Sequence, residues 1–160
     1  MRSYDFFGRV ATDTGNWLAQ RFMAPIPWQE WGWEYWWQIE FPAWLDASQG
    51  AAEGEQYDFR REVTIEGAGV RVDWLINSLT TTSPVAVNLK AQTVKSIQSN
   101  FLNSVNEDIQ KLKRLPKDIP AVMMVAVIDA GTEQELIRRG FIGISGIPGT
   151  VSILFQNIAR

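Results

Sequence analysis

The chain contains no cysteine and no histidine. The first absence excludes disulfides and thiolate metal sites. The second removes the usual general base and the usual zinc ligand. Any chemistry therefore rests on carboxylates, amides, lysine, arginine and hydroxyls. Long apolar runs are missing too: no stretch approaches the ~18 uninterrupted apolar residues of a membrane span. The opening "MRSYDFFGRVATDTGNWLAQRF" carries charges throughout and lacks the apolar centre of a secretory leader. The expectation is a cytoplasmic protein with no membrane partner. The formal net charge of −3 does not advertise a nucleic-acid binder, although an acidic average leaves room for a local basic groove. No internal repeat, low-complexity segment or domain boundary interrupts the sequence.

At 160 residues, 46% hydrophobic and 21% charged, the chain has the size and composition of one globular domain with its own core. Its most unusual ingredient is tryptophan. Of eight, seven fall between Trp17 and Trp44. Trp33, Trp36, Trp37, Phe41 and Trp44 share one face at helical spacing, which predicts an amphipathic helix, with a kink or restart where Pro42 forbids continuation. Glu40 falls inside that aromatic arc and needs a partner, a metal or a proton there. Large aromatics dominate burial, so the cluster reads first as core. Base stacking and a protein or homodimer interface are the functional alternatives; a sugar-binding face has only the tryptophan number behind it.

The rest of the chain reads as alternating strands and helices. A first helix over 4–22 ends at Pro25 and Pro27, and "ASQGAAEGE" is a loop. "YDFRREVTIEG" and "VRVDWLI" are strands around a turn at Gly67 and Gly69, and "VAVNLKA" is a third strand after the loop "NSLTTTSP". Ser99 or Asn100 can cap a helix carrying Phe101, Val105, Ile109 and Leu112 on its buried stripe, closed by the basic "KLKR" and Pro116. "AVMMVAVID" has the continuous apolarity of a central strand, "TEQELIRR" is a short helix stopped by Gly140, and "TVSILF" is a last strand. The glycine-rich "RRGFIGISGIPGT" lacks the lysine and spacing of a phosphate-binding loop and reads as turns. The predicted fold is an α/β (α+β) domain. Its mixed central sheet has about four to five strands flanked by helices. A tryptophan-rich helical part spans 1–48, the sheet core 57–129, and a closing helix and strand 132–157.

Alternation along a strand puts Asn88 and Lys90 on one face of "VAVNLKA" and Arg71, Asp73 and Leu75 on one face of "VRVDWLI". If the strands pair with apolar faces together, Asp73, Asn88 and Lys90 converge. Asp73 in "VRVDWLI" and Asn88-Leu89-Lys90 in "VAVNLKAQ", set in the order helix, three-strand meander, helix, strand, resemble the PD-(D/E)XK, or restriction-endonuclease-like, nuclease superfamily over residues 30 to 130. The resemblance implies hydrolysis of phosphodiester bonds in nucleic acid, DNA before RNA, in a defence-related or structure-directed role. It implies Mg²⁺ (or Mn²⁺) held at Asp73, position 88 and a further acid, Glu40 or Glu62, with Lys90 orienting water. Gln92 would share the face of Lys90 and reach phosphate or water. One departure is plain: position 88, acidic in the superfamily, is Asn here. An amide oxygen can ligate but brings no charge, so metal binding and Lewis-acid activation should weaken.

Plainer readings stand beside these. Asp73 and Lys90 can form a cross-strand ion pair, Asn88 can be an exposed amide, and Glu62, after two arginines, a simple salt bridge. Lys95, Lys111, Lys113, Arg114 and Lys117 suit phosphate contacts or a solvated helix end. Two functions are open: a metal-dependent nuclease, or a catalytically inactive relative that binds a protein or nucleic acid.

Overall fold

The computed structural model describes residues 34–39, 59–76, 84–146 and 151–159. The expected helix over 4–22, Glu40, Pro42, Trp44 and the loops 47–55 and 77–83 lie outside the described residues. The elements are a helical segment α1 (34–39), β1 (Phe59–Ile65), β2 (Val70–Ile76), β3 (Val85–Ala91), α2 (Gln98–Leu112), β4 (Ala121–Val127), α3 (Ala130–Arg138), β5 (Ile142–Gly146) and β6 (Ser152–Asn157). Among the described residues no helix is long and apolar enough to cross a membrane.

One six-stranded mixed sheet runs in the order β1-β2-β3-β4-β6-β5. β1, β2 and β3 form an antiparallel meander, β4 lies parallel to β3, and β6 and β5 continue antiparallel. The parallel step needs a crossover, and α2 supplies it. β4 is buried along its whole length, as its unbroken apolarity requires. One face of the sheet packs Trp37 of α1 with Trp74, Val87, Leu89 and Met124. The other packs Phe101, Val105 and Leu112 of α2 and Leu136 of α3 with Ala86, Met123 and Val125. Trp37 is fully buried, so this member of the aromatic cluster is core.

The sixth strand corrects the sequence reading. The glycine-rich passage that reads as turns contains β5, whose two glycines weaken its strand propensity. Pairing with β6 holds it, Ile142 opposite Phe155 and Gly143 opposite Leu154, with a bulge before Ser145. Helix starts differ too. α2 begins at Gln98 with Ile97 in the cap position and no side-chain cap, leaving Ser99 and Asn100 inside the helix; the nearest hydroxyls, Thr93 and Ser96, bond to each other in the preceding turn. α3 begins earlier than expected because Asp129 caps it, accepting hydrogen bonds from the Thr132 N–H and hydroxyl. Gly140 takes a left-handed φ of 90° just past α3, the conformation that ends a helix.

A kink in the meander shapes the region around Asp73. Trp74 and Ile76 face the α1 side, whereas Val70 and Val72 face the α2 side, so alternation inverts at Asp73. β1 inverts at the same level: Phe59 packs towards α1, but Val63 and Ile65 towards α2. Between these pairs Glu62 adopts a left-handed φ of 52°. The hairpin tip thereby turns over the α2 side of the sheet and parts from β3.

Candidate functional site

β2 and β3 pair only through Trp74–Val87, Leu75–Ala86 and Ile76–Val85. The next residues in register, Asp73 and Asn88, stand where the strands fork. There side chains replace the missing backbone ladder. Asn88 Oδ1 accepts from the Asp73 N–H at 3.2 Å, and Asp73 Oδ2 accepts from the Leu89 N–H at 2.8 Å. The N–H groups of Ala86 and Gln92 bond towards β4, so by alternation those of Leu89 and Ala91 point to the side β2 has left. Ala91 N–H donates to Glu34 Oε2 at 2.9 Å. Two carboxylates, one from β2 and one from α1, thus satisfy the two donors that the fork would otherwise orphan.

Lys90 lies between them in sequence and faces α2. Its ammonium pairs with Asp108 Oδ2 at 3.2 Å and Glu34 Oε1 at 3.5 Å. Asp108 also accepts from Lys111 Nζ at 2.7 Å. A cleft of about 420 Å³ opens here, lined by Glu34, Asp73, Asn88, Lys90 and Asp108, with Arg71, Lys111 and Arg114 adding positive charge.

The electrostatics follow from burial and crowding of acids. Desolvation pushes the Asp73 carboxyl up, repulsion from Glu34 and Asp108 adds to it, and the Leu89 hydrogen bond and Lys90 oppose it. The result is a pKa raised from 3.8 to about 6. Burial pulls Lys90 down, but the Glu34, Asp108 and Asp73 carboxylates outweigh it and hold the group above 10.5. Lys90 is therefore a fixed cation at neutral pH, a hydrogen-bond donor rather than a base.

Of the residues singled out in the sequence, Asp73, Asn88 and Lys90 come together. Asn88 is buried at 5% exposure. With Oδ1 accepting from the Asp73 N–H, the amide keeps an NH₂ donor for the cleft it lines and brings no charge to it. Glu62 does not line the cleft; it lies at the β1 edge and forms a salt bridge at 2.7 Å, with Arg71 across the hairpin as the partner in place of the two arginines that precede it. Gln92 is drawn away as well. β3 ends at Ala91, and the Gln92 side chain turns to the start of α3, donating to Thr132 Oγ1 and accepting from the N–H groups of Ile128 and Asp129. Glu40 lies outside the described residues, and the helix acid at the fork is Glu34.

Glu34 and Asp108 escaped the sequence reading, and each had left a trace. Glu34 stands three residues before the buried Trp37, on the same helix face. At 100° per residue Asp108 falls about 20° from Phe101, at one edge of the stripe of Phe101, Val105 and Leu112.

The superfamily resemblance implies a divalent cation. Among the described residues no three acids stand close enough to hold a metal ion. Two carboxylates, Asp73 and Glu34, do face the same cleft, and their repulsion is one that a cation would relieve. Mg²⁺ is commonly held by one or two carboxylates, with water and substrate phosphate supplying the rest. The pair fits that modest demand. Compared with family models, curated proteins and solved structures, the chain matches none.

Proposed function

We propose that the fork is a phosphodiester site and that the protein is a Mg²⁺- or Mn²⁺-dependent nuclease acting on nucleic acid, with DNA the first candidate. The observation that carries this reading is the convergence of Asp73, Asn88, Lys90 and Glu34 at the point where β2 leaves β3. Arg71, Lys111 and Arg114 would hold the backbone phosphates that enter the cleft. Lys90, permanently charged, would donate to a non-bridging phosphate oxygen as negative charge builds there, and the Asn88 NH₂ would do the same from the strand. Asp73 and Glu34 would hold the cation, which supplies Lewis-acid polarisation of the phosphate and a more acidic water. Asp73 loses its proton near pH 6, so binding of the cation should strengthen as pH rises through that value.

A second reading is favoured by one observation. The Asn88 oxygen accepts from the Asp73 N–H, and its amide leaves the cleft one charge poorer than an acidic residue would. On that reading the cleft binds phosphodiesters without cutting them. Incubation of the full chain with labelled single- and double-stranded DNA and RNA, in Mg²⁺ or Mn²⁺, separates the two. The nuclease reading expects products from wild type, none from Asp73→Asn, and a loss of about 10²–10³-fold in Lys90→Met. Salt-sensitive retention without products supports the binding module, and neither retention nor products rejects both.

A further inference from the structure

We propose that Asp108 is a positioning residue: from the buried face of α2 it fixes the Lys90 ammonium at the fork and keeps Lys111 beside it. The inference rests on the phosphodiester reading of the fork and adds to it a residue that neither the strand motif nor the meander contains.

Its starting point is an anomaly of placement. α2 buries Phe101, Leu102, Val105, Asp108 and Leu112, and Asp108 is the charged member of that set. At 100° per residue Phe101, Val105, Asp108 and Leu112 fall within about 60° of one another. A residue there is expected to be apolar, and Asp108 is only 7% exposed. A carboxylate in such a stripe is costly unless paired, and even a paired one is often matched in stability by well-packed apolar side chains. Packing therefore does not explain Asp108, but its partners do. One oxygen bonds Lys111 Nζ at 2.7 Å and the other pairs with Lys90 Nζ at 3.2 Å.

The geometry assigns the two oxygens different tasks. Lys90 extends from β3 on the α2 side, held between Glu34 of α1 and Asp108 of α2. Without Asp108 its flexible stem would have one weaker anchor, Glu34 at 3.5 Å, and could swing towards the solvent. Asp108 narrows those positions to one. The charges facing the ammonium are the carboxylates of Asp73 (β2), Glu34 (α1) and Asp108 (α2), with Lys111 and Arg114 of the α2 side and Arg71 of the hairpin also lining the cleft. A phosphate arriving there meets Lys90 and Lys111 on one carboxylate, their spacing set in advance.

Three variants of the full chain test the assignment. Asp108→Asn keeps the size and removes the charge, Asp108→Glu keeps the charge, and the double variant Asp108→Leu, Lys90→Met removes the ion pair altogether. The double variant should melt at or above the wild-type temperature; a lower melting temperature would make the pair a structural strut and overturn the proposal. In ¹H–¹⁵N spectra tuned to lysine ammonium groups, wild type should show a slowly exchanging Lys90 signal. Asp108→Asn should lose it and Asp108→Glu should restore it in part. A signal undisturbed in Asp108→Asn overturns the proposal. On a substrate that wild type cleaves, Asp108→Asn should lower kcat on the order of 10²-fold with KM changed far less; an unchanged kcat counts against it. If wild type cleaves nothing, the nuclease reading falls, and the ammonium signal still decides the role of Asp108.

Discussion

β3 and β4 lie side by side in parallel, seven residues each, yet they are different objects. β4 has a strand on both flanks and an apolar side chain at every position, and nothing in it is left to bond anything else. β3 begins the same way, with Val85, Ala86 and Val87 between two strands. From Asn88 onward it loses β2, and the donors of Leu89 and Ala91 pass to carboxylates. The lesson is that a polar site in a sheet core needs a break in the ladder. Wherever the ladder is whole, burial selects apolar side chains; where it forks, acids are recruited to close it and a cleft is left for something else.

The contrast breaks most strongly on the β4 side. Met124 is fully buried, so Met124→Ala should cost about 2–5 kcal/mol in chemical denaturation. Cleavage by the protein that remains folded should be unaffected. Second comes the pH dependence of the fork. The Asp73 pKa is higher folded than unfolded, so the native state binds the proton more tightly and the contribution of Asp73 to stability falls as pH rises from 3.8 to about 6. That slope should vanish in Asp73→Asn and persist in Met124→Ala. Third, Asp73→Asn keeps an acceptor for the Leu89 N–H that Asp73→Ala does not. The alanine variant should be less stable than the asparagine variant by about 1–3 kcal/mol, while both lose cleavage. Fourth, the left-handed Glu62 that lets the hairpin turn away can be tested with Glu62→Val. A β-branched residue is strained there, and the expected loss is about 1–2 kcal/mol in the same denaturation assay. Smallest is the outer cap: Glu34→Ala should be less stable than Glu34→Gln by about 0.5–1.5 kcal/mol, because Ala91 N–H then lacks its acceptor.

Much of the fold was readable in the sequence. Period-two alternation placed β2 and β3 to the residue and put Asn88 beside Lys90 on one face, and the apolar run of β4 announced a central strand. Three features were not legible. β5 owes its existence to pairing with β6, a tertiary effect that its glycines hide. The inversion at Glu62 and Asp73 leaves no periodic trace, because both faces of the sheet are covered: Val70 and Val72 bury on one side, Trp74 and Ile76 on the other, and the apolar alternation runs on unbroken. The role of Glu34, which bonds the Ala91 N–H at the fork, is not written in its helix pattern; Glu40, the helix acid that the aromatic arc points to, lies outside the described residues. A helix period carries no information about distance from β3, which is what brings Glu34 to the Ala91 N–H. Gln92 shows the same limit: the alternation that predicted its face ends with the strand at Ala91.

The central claim is that the acids at the fork are held for a cation and a phosphodiester, beyond closing a broken ladder. The direct measurement is the thermal unfolding of wild type and Asp73→Asn, with and without Mn²⁺, at a pH well above the Asp73 value of about 6. A ligand that binds only the native state raises its melting temperature. The account predicts that Asp73→Asn, freed of a desolvated charge, melts higher than wild type without metal, and that Mn²⁺ raises wild type alone. Equal responses of the two proteins to Mn²⁺, or a variant less stable than wild type without metal, would contradict it.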